Sequence, residues 1–218
     1  MTKLRSNAAY QRRMGGLSKE QKNLVENSPL LISSSKASLE EFLGHSESVL
    51  EVGFGTGEYL LNDAQNRPKT RQIGMDLYLF GVAATLQKSG FRSIDNVRII
   101  HDDAYRFFTS PPAESLFNTI RIYHPDPWPK KRHHKRRLIT IESLAGAYSL
   151  LKPSGCIEIL SDDPDYTEWI YGTINQKLPP YSCSVEKNLS PRSKYGEKAT
   201  AAGRSITCFS ITRNASSL

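Results

Sequence analysis

Between about residues 48 and 160, short apolar runs alternate with helical stretches, and each is joined to the next by a brief turn. That alternation restricts the chain to a parallel sheet covered by helices, because parallel neighbours need a crossover between them. Val49-Leu50-Glu51-Val52, Gln72-Ile73-Gly74-Met75, Val97-Arg98-Ile99-Ile100, Thr119 to Tyr123 and Cys156 to Leu160 read as strands. Helices are expected through Tyr59-Leu60-Leu61, from Tyr78 to Leu86, and from roughly Arg136 to Leu151. The last has apolar residues at Leu138, Ile141, Leu144, Ala145 and Tyr148 and is stopped by Lys152-Pro153-Ser154-Gly155. The tail breaks the pattern: Tyr181 to Val185 and Ser205 to Thr212 look like two strands with no strong helix between them. The expected fold is therefore α/β, a doubly wound, mostly parallel sheet with an antiparallel C-terminal hairpin. At 218 residues this is one core-bearing domain, 36–218. Residues 1–35, polar and basic with Gly15-Gly16, Pro29 and Ser33-Ser34-Ser35 as breakers, read as an N-terminal arm.

The first strand runs into Glu51-Val52-Gly53-Phe54-Gly55-Thr56-Gly57. Glycines permit a tight turn and close backbone approach by a ligand, and the helix that follows presents free N–H groups. The spacing is Gly-x-Gly-x-Gly with an acid ahead, whereas the dinucleotide fingerprint is Gly-x-Gly-x-x-Gly. A pyrophosphate gains nothing from Glu51, but a cationic amino-acid moiety does. Asp76, just past the second strand, suits ribose hydroxyls, and Asp103, past the third, suits an adenine amino group. Acids thus stand at the ends of three strands, along the crevice where open α/β sheets bind ligands. S-adenosylmethionine, an adenosine-containing cation, fits; NAD-type binding is the rival for this segment. A single loop acid is more often a solvated surface group.

The second concentration of chemistry is His124-Pro125-Asp126-Pro127-Trp128-Pro129 and the run Lys130 to Arg137 behind it. Two prolines stiffen the segment around Asp126, so its carboxylate is aimed rather than floppy. The run carries six of the chain's 29 Lys/Arg within a net charge of +7, and clustering points to a polyanion better than total charge does. Trp128 is either a stacking platform for a base or a core plug beneath the loop. His133 and His134 are adjacent, without the spacing of metal ligands, and phosphate contact or exposure suits them better. Arg12 and Arg13 are plausible further phosphate contacts. Cys156, Cys183 and Cys208 form no Cys-x-x-Cys pair, so neither a metal nor a disulfide framework is expected. No apolar run matches the roughly 20 residues of a membrane span, and Met1-Thr2-Lys3-Leu4-Arg5 opens no signal-type segment. The expectation is a cytoplasmic protein without metal or membrane attachment, a monomer or homodimer.

The glycine turn together with Pro125-Asp126-Pro127-Trp128-Pro129-Lys130-Lys131-Arg132-His133-His134-Lys135-Arg136-Arg137 resembles the bacterial tRNA (guanine-N7-)-methyltransferase family. The resemblance runs from about Arg12 to the C-terminus. It implies a seven-stranded methyltransferase fold, S-adenosylmethionine as donor and a tRNA variable-loop guanine as acceptor. It implies that Glu51, Asp76, Asp103 and Asp126 contact the cofactor, together with the turn of Gly53, Gly55 and Gly57. Asp126 also takes the active-site position, and Lys130 and Asp162 match substrate-binding residues. A Thr-x-(Tyr/Phe)-Glu motif is expected near the C-terminus; here the stretch reads Ser193-Lys194-Tyr195-Gly196-Glu197-Lys198. Serine keeps the hydroxyl, but Gly196 takes the glutamate's place and Glu197 comes one position late. Flexible Gly196 can re-aim Glu197 toward the guanine. Lys194 and Lys198 can clamp phosphates, and Arg204 is either another such group or an edge-strand surface residue.

N7 of guanine is an acceptor with a free lone pair, so it can take a methyl group without losing a proton. The site then needs placement and charge stabilisation rather than a strong base, and Asp126 is expected to orient and stabilise. Two other readings compete. A nucleotide-dependent oxidoreductase is disfavoured by the glycine spacing. A non-catalytic RNA-binding relative draws support only from Gly196.

Overall fold

The computed structural model describes residues 16–92, 94–176, 181–187 and 194–213. Seven strands form one sheet in the order β3-β2-β1-β4-β5-β7-β6. They are β1 (Ser48–Val52), β2 (Arg71–Asp76), β3 (Val97–His101), β4 (Phe117–Tyr123), β5 (Leu151–Ser161), β6 (Tyr181–Lys187) and β7 (Thr207–Arg213). The helices are α1 (Lys19–Asn27), α2 (Lys36–Leu43), α3 (Glu58–Asn66), α4 (Leu79–Arg92), α5 (Ala104–Thr109), α6 (Ile141–Ser149), α7 (Pro164–Ile174) and α8 (Lys194–Ala201), and a 3-10 helix spans Lys131–Arg136. The first five strands are parallel; β7 runs antiparallel to both β5 and β6, which is the hairpin edge the tail suggests. The strand order reverses between β1 and β4, and that reversal opens the crevice.

All five residues of β1 are buried, as a central strand covered on both faces requires. The two faces differ in chemistry. Leu50, Ile120 and Ile157 lie side by side in register, as do Val52, Ile122 and Ile159, and this face joins the main apolar core with α2, α5, α6 and α7. The alternate positions bring Glu51, Arg121 and Glu158 into one row across β1, β4 and β5. That row lies on the side where α3 supplies Asp63, whose Oδ2 accepts from Arg121 Nη1 over 2.7 Å.

Two boundaries differ from expectation. The helix placed at 136–151 begins only at Ile141, because Thr140 adopts extended dihedrals and caps Ser143 in a reciprocal capping box. A short helix, α8, also lies between the tail strands. Of the expected arm, residues 1–15 (Arg12 and Arg13 among them) lie outside the described residues. α1 packs near α4, and Val25, Leu30 and Leu31 join the apolar cluster beside β3. Ile32 N–H and Leu30 C=O both bond Ile99, extending the sheet by one bridge.

Candidate active site

The glycine turn is shaped by its backbone. Gly53, Gly55 and Gly57 have φ of +75°, +58° and +72°, a region that favours residues without a Cβ. The Gly53 and Gly55 Cα atoms face open space, so a ligand can reach main-chain groups there. A Cβ on Gly81 of α4 would lie 2.2 Å from Gly55 O, which shows how tightly that helix backs the turn. Lys88 of α4 holds it from the same side, donating to Thr56 O over 3.0 Å and pairing with Glu58.

Glu51 lies at the floor of this turn, 4% exposed, and its Oε2 is buried without a partner among the described residues. Burial raises its carboxyl to about 8; Arg121 opposes that shift, while Asp63 and Asp76 add to it. Arg121, its register neighbour on β4, also has an unpartnered buried Nε, 3.9 Å from Glu158 Oε2. Tyr59 stacks against the Arg121 guanidinium, and Tyr123 OH donates to Glu158 over 2.5 Å. Asp76 Oδ2 accepts from Gly55 N–H over 2.9 Å and Oδ1 from Tyr78 N–H over 2.8 Å; burial pushes its carboxyl up, against those hydrogen bonds. Asp103 Oδ1 caps α5 through Tyr105 N–H, while its neighbour Asp102 pairs with Arg106 and accepts from Ser34.

The Asp126 loop begins where β4 ends, directly beside β1. Its shape depends on Arg137, the last cation of the run, which is 1% exposed. Arg137 Nε donates to Pro127 O over 2.8 Å, pairs with Asp165 and lies against the rings of Tyr166 and Trp169. This residue anchors the loop rather than facing a polyanion. Lys130, Lys131, Arg132, Lys135 and Arg136 are exposed. Trp128 is half-buried with φ +45°, beneath the Arg136 guanidinium at 4.9 Å and edge-on to His133. It is therefore not a core plug, and one side of its ring is already occupied by the loop's own cation. Asp126 itself is exposed.

At the end of β5, Asp162 accepts from His124 and Arg204. Arg204 is exposed, a surface residue as one of the two sequence readings has it, and it is tied to Asp162. Glu197 is exposed in the first turn of α8 and Gly196 is buried. Ser193 lies outside the described residues, as do the side chains of Lys194 and Tyr195. Arg121 and His124 were not singled out from sequence. A charge at the midpoint of three otherwise apolar strands was the available signal for the first, and a histidine wedged between a strand and a proline for the second. Among the described residues no group of three metal-binding side chains converges, and no helix is long and apolar enough to cross a membrane.

A doubly wound sheet of this order, with a glycine cradle and a buried unpartnered acid at the switch point, suits an adenosine-containing cationic cofactor such as S-adenosylmethionine. The comparisons agree. The family described as "Putative methyltransferase" matches residues 45–209. A tRNA (guanine-N(7)-)-methyltransferase from Nitrosococcus oceani is 31% identical over 178 residues, 81% of this chain and 75% of that protein. A protein of the same name from Azorhizobium caulinodans is 33% identical over 172 residues, 75% of this chain and 74% of its own. The solved 16S rRNA (adenine(1408)-N(1))-methyltransferase from Catenulisporales acidiphilia shares the fold. Its TM-score is 0.55 at 13% identity, over 82% of this chain and 91% of that one. The chain belongs to the tRNA (guanine-N7-)-methyltransferase family. The glycine turn therefore groups with methyltransferases and not with NAD-dependent oxidoreductases.

Proposed function

We propose that this protein methylates N7 of a variable-loop guanine in tRNA, using S-adenosylmethionine, in the cytoplasm. One observation carries the reading. β4, which ends in the stiff Asp126 loop, is hydrogen-bonded directly to β1, which ends in the glycine cradle. Donor and acceptor sites thereby share one crevice, with exposed cations on its rim.

The residues present fit the cofactor. Glu51 offers a buried carboxylate oxygen without a partner, as an α-ammonium group requires, and the open sides of Gly53 and Gly55 admit close backbone contact. Bound S-adenosylmethionine supplies an electrophilic methyl group on a cationic sulfonium. Glu51 would hold the ammonium, Asp76 the ribose hydroxyls and Asp103 the adenine amino group. Asp126 would orient the base and stabilise positive charge as it moves onto the purine, with no proton to remove. Lys130 and its exposed neighbours would take the tRNA backbone. Asp162, Ser193, Lys194, Tyr195 and Glu197 would complete the substrate side.

The test is methyl incorporation into tRNA carrying either guanine or 7-deazaguanine at the variable-loop position. Transfer to the first alone is expected. Equal transfer to both would exclude N7 as the acceptor.

A further inference from the structure

Asp162 gives both of its oxygens to protein partners. His124 Nδ1 lies 2.7 Å from Oδ1, and Arg204 Nε donates to Oδ2 over 2.8 Å. Burial alone would push this carboxyl up; the hydrogen bonds from His124 and Arg204 outweigh it and hold the group below the usual carboxylate range. An ionised carboxylate only accepts, so the shared proton belongs to Nδ1 of His124. With the proton on Nδ1, Nε2 is a bare acceptor whenever the imidazole is neutral. It is buried on a side chain 4% exposed, and no described residue donates to it.

The ring is also held in place. His124 N–H bonds Leu160 O over 2.9 Å, Pro125 follows, and φ is +50°. Non-glycine residues rarely adopt that conformation, and those that do gather at functional sites. The position is the end of β4, two residues before Asp126 and beside the end of β5, next to the strand-order reversal between β1 and β4.

We propose that His124 is a specificity-determining residue of the acceptor site, its Nε2 accepting a hydrogen bond from the N1–H or 2-amino group of the target guanine. This rests on the reading that guanine N7 is the acceptor. With N7 turned toward the methyl donor, the base presents its donor-bearing edge to the opposite wall. Adenine carries a lone pair at N1, which would face the lone pair on Nε2, so the imidazole selects by repulsion as well as by attraction. Asp162 serves this contact through His124, fixing its tautomer.

Two measurements test the assignment. In the first, histidine 15N resonances are followed in wild-type protein with S-adenosylhomocysteine and a tRNA bearing 7-deazaguanine at the target. That base keeps both donors and cannot be methylated. The His124 Nε2 signal, assigned by its absence in His124→Asn, should move when this tRNA is added and stay put with S-adenosylhomocysteine alone; a signal indifferent to tRNA overturns the proposal. In the second, His124→Asn keeps a donor for Asp162 but leaves no acceptor at the Nε2 position, which its shorter amide does not reach. The KM for tRNA should rise about tenfold, with the melting temperature and S-adenosylhomocysteine affinity unchanged. KM and kcat within twofold of wild type would remove His124 from the site while leaving the methyltransferase reading intact. If wild-type protein fails to methylate guanine in tRNA, that reading falls instead. Should the variant not fold, the resonance measurement on the wild-type protein decides.

Discussion

The two sides of the crevice are built differently. At the ends of β1 and β2 the site is mostly backbone. Three left-handed glycines turn the chain, Gly55 N–H and Tyr78 N–H fix Asp76, and Gly81 lets α4 close in behind. These groups all come from two successive strand-turn-helix units, β1-α3 and β2-α4. At the ends of β4 and β5 the site is made of side chains from distant segments. Arg137 reaches back to Pro127, α7 supplies Asp165, Tyr166 and Trp169, and the turn before β7 supplies Arg204. The proposed cofactor side thus draws on neighbouring elements, whereas the proposed acceptor side stands only if the tertiary clamp holds.

Removing the clamp should separate the two sides most sharply. Arg137→Met deprives Pro127 O of its donor and two rings of their cation, at a cost of about 3 kcal/mol. For a chain this long, that lowers the melting temperature by about 10 °C. tRNA methylation should be lost at temperatures where the variant remains folded, while S-adenosylhomocysteine still binds within a few-fold of wild type by calorimetry. Parallel loss of cofactor binding would show that the two sides are one cooperative unit.

Glu51 offers the reverse experiment, on the cofactor side. Burial raises its carboxyl to about 8, above its value in the unfolded chain. A raised acid favours the fold in its protonated form. That contribution is complete below the ordinary glutamate range and is lost as pH rises through about 8. Glu51→Gln cannot ionise, so without ligand it should keep its melting temperature across pH 7 to 9 where wild type declines. Its affinity for S-adenosylhomocysteine should fall roughly 10- to 100-fold, the worth of a charge-assisted bond. A wild-type melting profile that stays flat across this range would mean that Glu51 is already ionised without ligand.

This contrast also explains what the sequence revealed. The strands, the crossovers, the glycine turn and the antiparallel tail were legible because each depends on spacing within a few residues. Asp76 and Asp103 were placed correctly at strand ends for the same reason. The charged row Glu51–Arg121–Glu158 was not legible, since it exists only once register aligns three strands separated by long crossovers. Arg137 was misread with its neighbours as a polyanion contact, because nothing local distinguishes the one cation of the run that folds inward. The helix start at Ile141 was missed because apolar spacing continued upstream of the Thr140 cap.

Asp126 is exposed in the loop that follows β4, the strand beside β1, and a smaller effect is expected there. If it orients and stabilises without taking a proton, Asp126→Asn should slow single-turnover methyl transfer about tenfold. The loss should be the same at every pH, leaving the shape of the rate profile unchanged. A variant that retains most of the wild-type rate would show that the carboxylate charge is dispensable. A profile that loses an acidic limb would instead restore a role in proton transfer.

The smallest effects belong to the exposed cations, and they divide one run of residues by physics instead of by sequence. Lys130, Lys131, Arg132 and Lys135 are exposed like Arg136, but Arg136 also covers Trp128. Each of the four, replaced singly by glutamine, should weaken tRNA binding only two- to threefold near physiological salt. Each should also reduce the slope of log affinity against log salt by somewhat less than one, as expected for one lost phosphate contact. Melting temperatures should not move, because solvated charges contribute little to the fold. Arg136→Gln should depart from the four, since uncovering Trp128 changes packing as well as charge. Arg137→Met should weaken tRNA binding without reducing the salt slope at all, because its guanidinium is turned away from solvent. A reduced slope for Arg137→Met would mean that the inward cation reaches tRNA after all.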